Sequence, residues 1–301
     1  MNISTHVLLL TGYATTITTC APRLLSRSSL PRRSPGLALA LWHTSIASAG
    51  FAISLVAIKL ISTALLLPTG PPQPDGQPGS MAETLVAVAA GLFIVAYGSA
   101  RLFRSTTHVL RAQRTGRRRH LELLSLLGRY DSELDATIVP SPAAAAYCVT
   151  GTNQVVITEH ALRLLGPDQL AAVLAHERAH LTGRHHLLVT WATLLMDAFP
   201  GVTALVQLRE ATSNLVELLA DDKALRQVKP GSLAGAIALL SRGAPEGRLA
   251  ATGGQTLVRV ERLLDPPPRL WPPVIIACAV VTPLIVGIPL LLASYPASTP
   301  C

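Results

Sequence analysis

Four apolar segments divide the chain, and each approaches the roughly 20 residues that a helix needs to cross the hydrocarbon core of a bilayer. They run from about 3 to 20, 37 to 67, 82 to 103 and 271 to 294. The leader before the first segment, Met1 to His6, has no Lys or Arg, and positive charge follows the segment instead. A cleaved signal peptide has the opposite arrangement. We therefore predict four transmembrane helices, the first of them a retained anchor.

Basic residues in the connecting segments predict the orientation, because cytoplasmic loops are enriched in Lys and Arg. The connection after the first apolar segment carries four arginines, and residues 101–119 after the third carry seven. The connection from Pro68 to Ser80 has no Lys or Arg, and the tail after the fourth segment has no charged side chain. We therefore expect both termini on the outer side of the cell membrane and residues 104–270 in the cytoplasm.

The composition agrees with a membrane protein. Of 301 residues, 50% are hydrophobic and 14% are charged, whereas soluble globular domains carry about a quarter charged residues. The net charge of +8 comes from clustered arginines. The basic run 101–119 has no recognisable nucleic-acid-binding module, so we expect it to lie against anionic lipid of the bilayer and expect no direct nucleic-acid binding.

The cysteines do not indicate a disulfide framework or a cysteine-based metal site. There are four of them, and none has the paired spacing that such sites need. They are Cys20, Cys148, Cys278 and Cys301.

The cytoplasmic part begins with a mixed helical and strand-like stretch over 120–165. Within it, Ala143–Val149 and Gln154–Thr158 flank a Thr-Gly-Thr-Asn turn, which predicts a β-hairpin. A helix then opens at Gly166-Pro167-Asp168, where proline stands at an early position and an acid lies in the first turn.

This helix carries the string His176-Glu177-Arg178-Ala179-His180. Because His176 and His180 are four residues apart, their imidazoles leave the same face of the helix and can bind one Zn²⁺. Glu177 follows a ligand directly, so it can reach a water at the metal as a general base without binding the metal itself. A motif with only three fixed residues also occurs by chance. Here its position within a predicted helix and the presence of a possible third ligand favour the functional interpretation.

One candidate for the third ligand is His186. It fits the extended pattern in which the motif beginning at His176 continues to a glycine, here Gly183, and a further histidine. That arrangement requires the helix to break at the glycine, yet residues 184–199 continue as an apolar-rich helical run. The methionine-containing turn of such enzymes is also missing, since Met196 lies inside that run.

The other candidate, which we favour, is Glu217. It lies on a helix predicted over 202–227, and an antiparallel return would bring it opposite the two histidines. Asp221, one turn later, is placed to accept a hydrogen bond from the outer nitrogen of His176, and outer carboxylates of this kind fix the orientation of a zinc-bound imidazole. Glu210, one heptad before, has no such partner and is interpreted as a polar helix residue.

The run from Leu170 to His180, followed by Glu217-x-x-Ala220-Asp221, resembles the gluzincin core of two membrane families, the HtpX/Ste24-type peptidases and the BlaR/MecR-type antirepressor peptidases. The order of segments along the chain is more similar to the BlaR/MecR type, with three apolar segments, then a zinc segment and then a fourth apolar segment. The stretch 21–35 is also similar to that type. BlaR/MecR receptors also carry an extracellular penicillin-binding sensor. We see no such domain or SxxK motif here and do not expect the chain to sense β-lactams alone.

The resemblance implies a peptidase that binds one Zn²⁺ per chain and cuts a protein or peptide, such as a BlaI-like repressor. It also implies that an extended substrate adds to the edge of the small sheet near Val155 to Thr158. For the group that stabilises the oxyanion, Arg226 and Tyr147 are the candidates.

We therefore predict a mainly α membrane protein with four transmembrane helices and a small α+β gluzincin-like zinc-peptidase domain. The predicted divisions are a membrane region over 1–103, the cytoplasmic peptidase domain over 104–270, and a fourth span with an outer tail over 271–301. The predicted function is a membrane-bound zinc endopeptidase in regulated proteolysis. The alternatives are an HtpX-like quality-control peptidase and a non-catalytic membrane scaffold.

Overall fold

The computed structural model describes residues 3–65, 81–242, 246–268 and 270–294. The protein is mostly helical, with one four-stranded sheet among these residues. The predicted outer connection from Pro68 to Ser80 and the tail with Cys301 lie outside the described residues. In chain order the elements are α1 (Ile3–Arg27), α2 (Leu30–Arg33), α3 (Pro35–Leu65), α4 (Met81–Leu127), β1 (Arg129–Asp131), β2 (Ala136–Val139), β3 (Ala146–Cys148), β4 (Val155–Thr158), α5 (Glu159–Leu164), α6 (Pro167–Thr182), α7 (His185–Ala198), α8 (Thr203–Ala224), α9 (Pro230–Arg242), α10 (Glu246–Leu264) and α11 (Pro272–Ser294).

Three helices of the described chain are long and apolar enough to cross a membrane: Pro35–Ser62 of α3, Met81–Leu127 of α4, and Pro272–Ser294 of α11. They match the second, third and fourth predicted segments. The first predicted segment is helical as α1 but is not among these candidates, because threonines interrupt its apolar residues. Several of these threonines donate to carbonyl oxygens one turn earlier in the same helix. The count of four spans therefore stays a prediction.

A partly buried polar contact joins α1, α3 and α11. The carbonyl of Ile285 in α11 would normally accept from the amide four residues later, but that residue is Pro289, which has no N–H. Tyr13 of α1 donates its hydroxyl to this carbonyl at 2.8 Å, and Ser48 of α3 donates to it at 2.6 Å. The two hydroxyls therefore satisfy an acceptor that the proline leaves free.

Helix α4 extends well past the third predicted segment. Its 47 residues correspond to about 70 Å, more than twice the hydrocarbon thickness of about 30 Å. The second half packs against α7, where Ser105 donates to the carbonyl of Leu194 at 2.8 Å and Gln113 donates to Thr190 at 2.9 Å. One continuous helix thus connects the apolar bundle to the sheet and its surrounding helices.

The strands lie in the order β1-β2-β4-β3. β3 and β4 pair antiparallel, with Tyr147 opposite Val156, which confirms the predicted hairpin. β4 also pairs in parallel with β2, so it is an inner strand. Among the described strands, β3 and β1 are the edges.

Helix α6 begins at Pro167 as predicted, and the amide of Gly166 donates to the Gln169 side chain at 3.1 Å. Val173 and Leu174 pack in one buried cluster with residues of β2 and β4, while alanines on the other side contact α8 and α9. α6 is therefore held between the sheet and two helices. That position fixes the helix that carries the histidine motif.

Candidate metal centre and active site

Helix α6 presents His176 and His180 side by side. Their Nε2 atoms are 3.1 Å apart, and their rings meet edge to face with centroids separated by 4.8 Å. His176 is buried and His180 is partly buried. The spacing of four residues therefore brings both ring nitrogens to one point on the helix, as predicted.

Helix α8 brings Glu217 to the same point. One carboxylate oxygen lies 3.4 Å from His176 Nε2, and the other lies 3.4 Å from His180 Nε2. One ligand atom from each of the three residues falls within a 4.8 Å cluster that could hold a metal ion. Two ligands of a tetrahedral zinc, each about 2.1 Å from the metal, are about 3.4 Å apart. The donor atoms and their separations thus fit Zn²⁺.

His186 takes no part in this cluster. Helix α6 does end at Thr182, and Gly183 caps it, but α7 starts at once at His185. The break therefore turns His185, and not His186, back toward the motif: His185 Nδ1 lies 3.1 Å from His180 Nδ1. Burial, and then the positive charge of a protonated His180, lower the pKa of His185 to about 4. Sequence reasoning considered only His186 at this turn.

Glu177 is partly buried beside the cluster. Burial raises the pKa of its carboxyl and outweighs the opposing effect of His176 and His180 in their cationic forms. Its neighbour is Cys148 at the end of β3. Burial, followed by the charge of Glu177, raises the pKa of the Cys148 thiol to about 11.

Asp221 lies one turn after Glu217, with a side chain only 1% exposed, and its Oδ1 is 3.0 Å from His176 Nδ1. This contact was predicted, although the ring N–H does not point directly at the oxygen. Burial alone would lower the pKa of His176, but the carboxylates of Asp221 and Glu217 outweigh it and raise the pKa to about 9. The same contacts with His176 and His180 hold the pKa of Glu217 well below its usual range despite burial.

Arg259 of α10 is a site residue that sequence reasoning missed. Its Nε donates to Asp221 Oδ2 at 2.8 Å, its Nη2 donates to Asp221 Oδ1 at 2.7 Å, and its Nη1 lies 2.8 Å from Glu217 Oε2. Burial opposes the charge of the guanidinium, but Asp221 outweighs it and raises the pKa of Arg259. The one signal in the sequence was chemical: a buried carboxylate beside a metal site needs a cationic partner.

The two candidates for an oxyanion-stabilising group lie in different places. Tyr147 of β3 lines a cavity of about 520 Å³ together with His180 and Glu217. Arg226 borders a separate cavity that contains neither of those two side chains. Of the pair, the tyrosine alone shares a cavity with residues of the metal cluster.

Residues 112–244 match the model of Peptidase family M48. The M48-like segment contains the histidine motif, Glu217 and Asp221, but Arg259 lies beyond it. The chain is also similar to the "Protease HtpX homolog" of Pelotomaculum thermopropionicum, with 40% identity over 74 residues, which are 23% of this chain and 26% of that protein. The chain thus spans about a quarter of the curated relative that it matches. No solved structure matches it significantly.

The M48 match, the similarity to an HtpX homologue and the His-His-Glu cluster support a membrane metallopeptidase. They agree with the gluzincin resemblance seen in the sequence. They do not single out the BlaR/MecR type, and the similar curated protein is of the HtpX type.

Proposed function

We propose that the chain is a membrane-bound zinc endopeptidase whose active site faces the cytoplasm. The observation that carries this proposal is the convergence of His176, His180 and Glu217 within 4.8 Å, inside a segment that matches peptidase family M48. These three side chains would hold one Zn²⁺. Two imidazoles and a carboxylate leave a position open for water and substrate, which is the pattern of catalytic zinc sites.

Zn²⁺ in such a site polarises a peptide carbonyl and lowers the pKa of water to about 7. In this proposal Glu177 removes a proton from the attacking water and then delivers it to the leaving amine. Burial raises the pKa of Glu177, and a more basic carboxylate is a better proton acceptor at neutral pH. Asp221, whose Oδ1 lies 3.0 Å from the outer nitrogen of His176, would hold that ring in place when the other nitrogen binds the metal.

The substrate would bind along the free edge of β3. We expected the edge near Val155 to Thr158, but that strand is β4, which is paired on both sides. Tyr147 and Cys148 of β3 line the same cavity as His180 and Glu217. An extended peptide paired with β3 would therefore pass the metal cluster, and its backbone would supply the missing ladder of hydrogen bonds.

The proposed membrane arrangement has four spans with α1 as the first. Tyr13 of α1 contacts Ile285 near the middle of α11, a helix apolar enough to cross a membrane. Side chains between Val7 and Ile17 of α1 also share a hydrophobic cluster with residues of α3 and α11, which are both candidate spans. Below the apolar half of α4, residues 104–119 expose six arginines and contain no acid, which suits the anionic cytoplasmic surface of a bilayer.

Two kinds of substrate fit this enzyme. Our first proposal is regulated cleavage of a cytoplasmic repressor, because the order of segments along the chain resembles that of the BlaR/MecR type. Quality control of membrane proteins is the second, favoured by the similarity to an HtpX homologue. The HtpX type often has additional hydrophobic hairpins after the motif. Here α7 has 14 residues and is not one of the candidate spans among the described helices.

The experiment compares cells that express wild-type protein with cells that express Glu177→Gln, using quantitative proteomics of new protein termini. Glu210→Gln is the matched control, because Glu210 is an exposed acid of α8 outside the cluster. We expect cleavage products in wild-type and control cells and none with Glu177→Gln, although the purified variant still binds zinc. A soluble DNA-binding protein among the substrates favours the repressor proposal, and membrane proteins favour quality control. Unchanged cleavage by Glu177→Gln would falsify the proposed mechanism.

A further inference from the structure

His185 contacts the outer nitrogen of the second motif histidine. His180 turns its Nε2 toward Glu217 Oε1, 3.4 Å away, so Nδ1 is the nitrogen that faces away from the cluster. His185 Nδ1 lies 3.1 Å from that atom, and the two rings meet at 87° with centroids 4.9 Å apart. His185 is 7% exposed. The two nitrogens therefore lie at hydrogen-bonding distance, and the His185 side of the contact is shielded from solvent.

The turn between α6 and α7 is built around this contact. Gly183 ends α6, and a Cβ added there would lie 2.3 Å from His185 Nε2 and 3.0 Å from the carbonyl oxygen of Ala179. Arg184 adopts the left-handed conformation with φ 49° and ψ 35°, which is uncommon for a residue with a side chain. Gly183 has no space for a side chain, and Arg184 has an unfavourable backbone conformation. Together these two residues fold His185 back onto His180. Strain of this kind persists where surrounding contacts require it.

The chemistry of a ligand histidine explains what the contact can do. When Nε2 of an imidazole binds a metal, the ring proton resides on Nδ1, and an acceptor for that proton fixes the tautomer and the ring orientation. For His176 the neighbouring atom is a carboxylate oxygen of Asp221. For His180, the atom that lies beside Nδ1 in the described part of the chain is His185 Nδ1. A neutral imidazole can accept a hydrogen bond at this nitrogen.

We infer that His185 is a positioning residue for the metal site. Its Nδ1 accepts a hydrogen bond from His180 Nδ1–H and thereby directs Nε2 of His180 to the metal. This inference rests on the proposed zinc site and deepens it. The two ligand histidines would then be supported by chemically different partners, a carboxylate for His176 and an imidazole for His180.

The test measures zinc affinity of the purified full-length protein in detergent by competition with a chelator. His185→Asn keeps an acceptor oxygen near the position of Nδ1, whereas His185→Leu has a similar size and no acceptor. We expect the leucine variant to bind zinc about 10 to 100 times more weakly and the asparagine variant to remain within a few-fold of wild type. His186→Leu, at the next position of the same helix, is the control and should bind like wild type.

Circular dichroism of the metal-free variants checks that each is folded. If the leucine variant does not fold, His185→Gln replaces it, because its amide reaches past the Nδ1 position and should weaken binding while remaining polar. The inference is overturned if His185→Leu, or His185→Gln in its place, binds zinc as tightly as wild type. It is also overturned if His185→Asn and His185→Leu weaken zinc binding equally. Failure of wild type itself to bind zinc would instead remove the proposed function.

Discussion

Arg259 holds Asp221 in a two-pronged ion pair, with donor-acceptor distances of 2.8 and 2.7 Å, while its third nitrogen lies 2.8 Å from Glu217. One guanidinium thus contacts both acids that α8 directs at the candidate metal centre. Asp221 is 1% exposed, so its charge has no access to water for compensation. Helix α10 is therefore part of the site, because it supplies the cation that makes a buried carboxylate possible beside His176.

Replacing Arg259 with methionine should strongly destabilise the part of the protein that carries the candidate metal centre. The substitution leaves the buried Asp221 carboxylate without its cation, and removal of one partner of a buried pair costs about 3–5 kcal/mol. Arg163→Met is the control, since Arg163 pairs with Glu159 and both side chains are more than half exposed, and an exposed pair contributes about 1 kcal/mol or less. Thermal or denaturant unfolding of the two purified variants measures the difference. Similar losses in both would mean that Asp221 is stabilised by other groups.

Glu217→Gln should abolish tight zinc binding. The amide is neutral and a weaker ligand than the carboxylate that lies 3.4 Å from both motif histidines. Loss of a direct ligand should exceed the roughly 10- to 100-fold loss caused by removing an outer contact. Glu210→Gln tests the same chemistry one heptad earlier and should leave the metal content unchanged. Elemental analysis after dialysis against a low concentration of chelator measures both, and retention of zinc by the Glu217 variant would exclude this residue as the third ligand.

The direct cluster was predictable because it depends on local geometry. His176 and His180 are one helical turn apart on a helix whose start is marked in the sequence, so their convergence follows from α-helix periodicity alone. Glu217 and Asp221 required one further step, an antiparallel return of the chain after Pro200-Gly201. The structure brings these four side chains together as that reasoning expected.

The supporting residues were not predictable, because they depend on tertiary packing and backbone detail. Arg259 reaches the site from α10, and its approach follows from how that helix packs and not from any periodicity. His185 is turned inward by the left-handed conformation of Arg184, which the sequence does not signal. The free sheet edge was assigned to the wrong strand for a similar reason, since the order of β3 and β4 in the sheet is set by the parallel pairing of β4 with β2.

Cys148 should react slowly with iodoacetamide in a variant that lacks the other cysteines. Burial and the charge of Glu177 raise the pKa of its thiol to about 11, and the thiolate is the reactive form. At pH 8 the rate should be roughly 10- to 100-fold below that of an unperturbed thiol, and it should keep rising with pH toward 11. Glu177→Gln removes the second cause of the shift and should speed the reaction.

The reference for this measurement is Thr150→Cys in a variant without Cys148, because Thr150 is exposed only two residues further along the chain. Mass spectrometry of the alkylated peptide gives the rate for each cysteine. A Cys148 rate that is half-maximal near pH 8.5 would indicate a thiol with an ordinary pKa and would contradict a buried thiol beside Glu177.

Helix α1 should cross the membrane, although its composition is less apolar than that of the candidate spans in α3, α4 and α11. Tyr13 donates to the Ile285 carbonyl near the middle of α11, and that carbonyl lacks its usual partner because Pro289 has no amide hydrogen. An unsatisfied carbonyl in hydrocarbon costs several kcal/mol, so this contact favours α1 at membrane depth. Reporter fusions should place the N-terminus outside and the connection after Arg27 inside. Tyr13→Phe should lower the thermal stability in detergent by about 1 kcal/mol, since Ser48 still donates to the carbonyl. If the N-terminus and the connection after Arg27 lay on the same side, α1 would not cross, and the described helices would supply three spans.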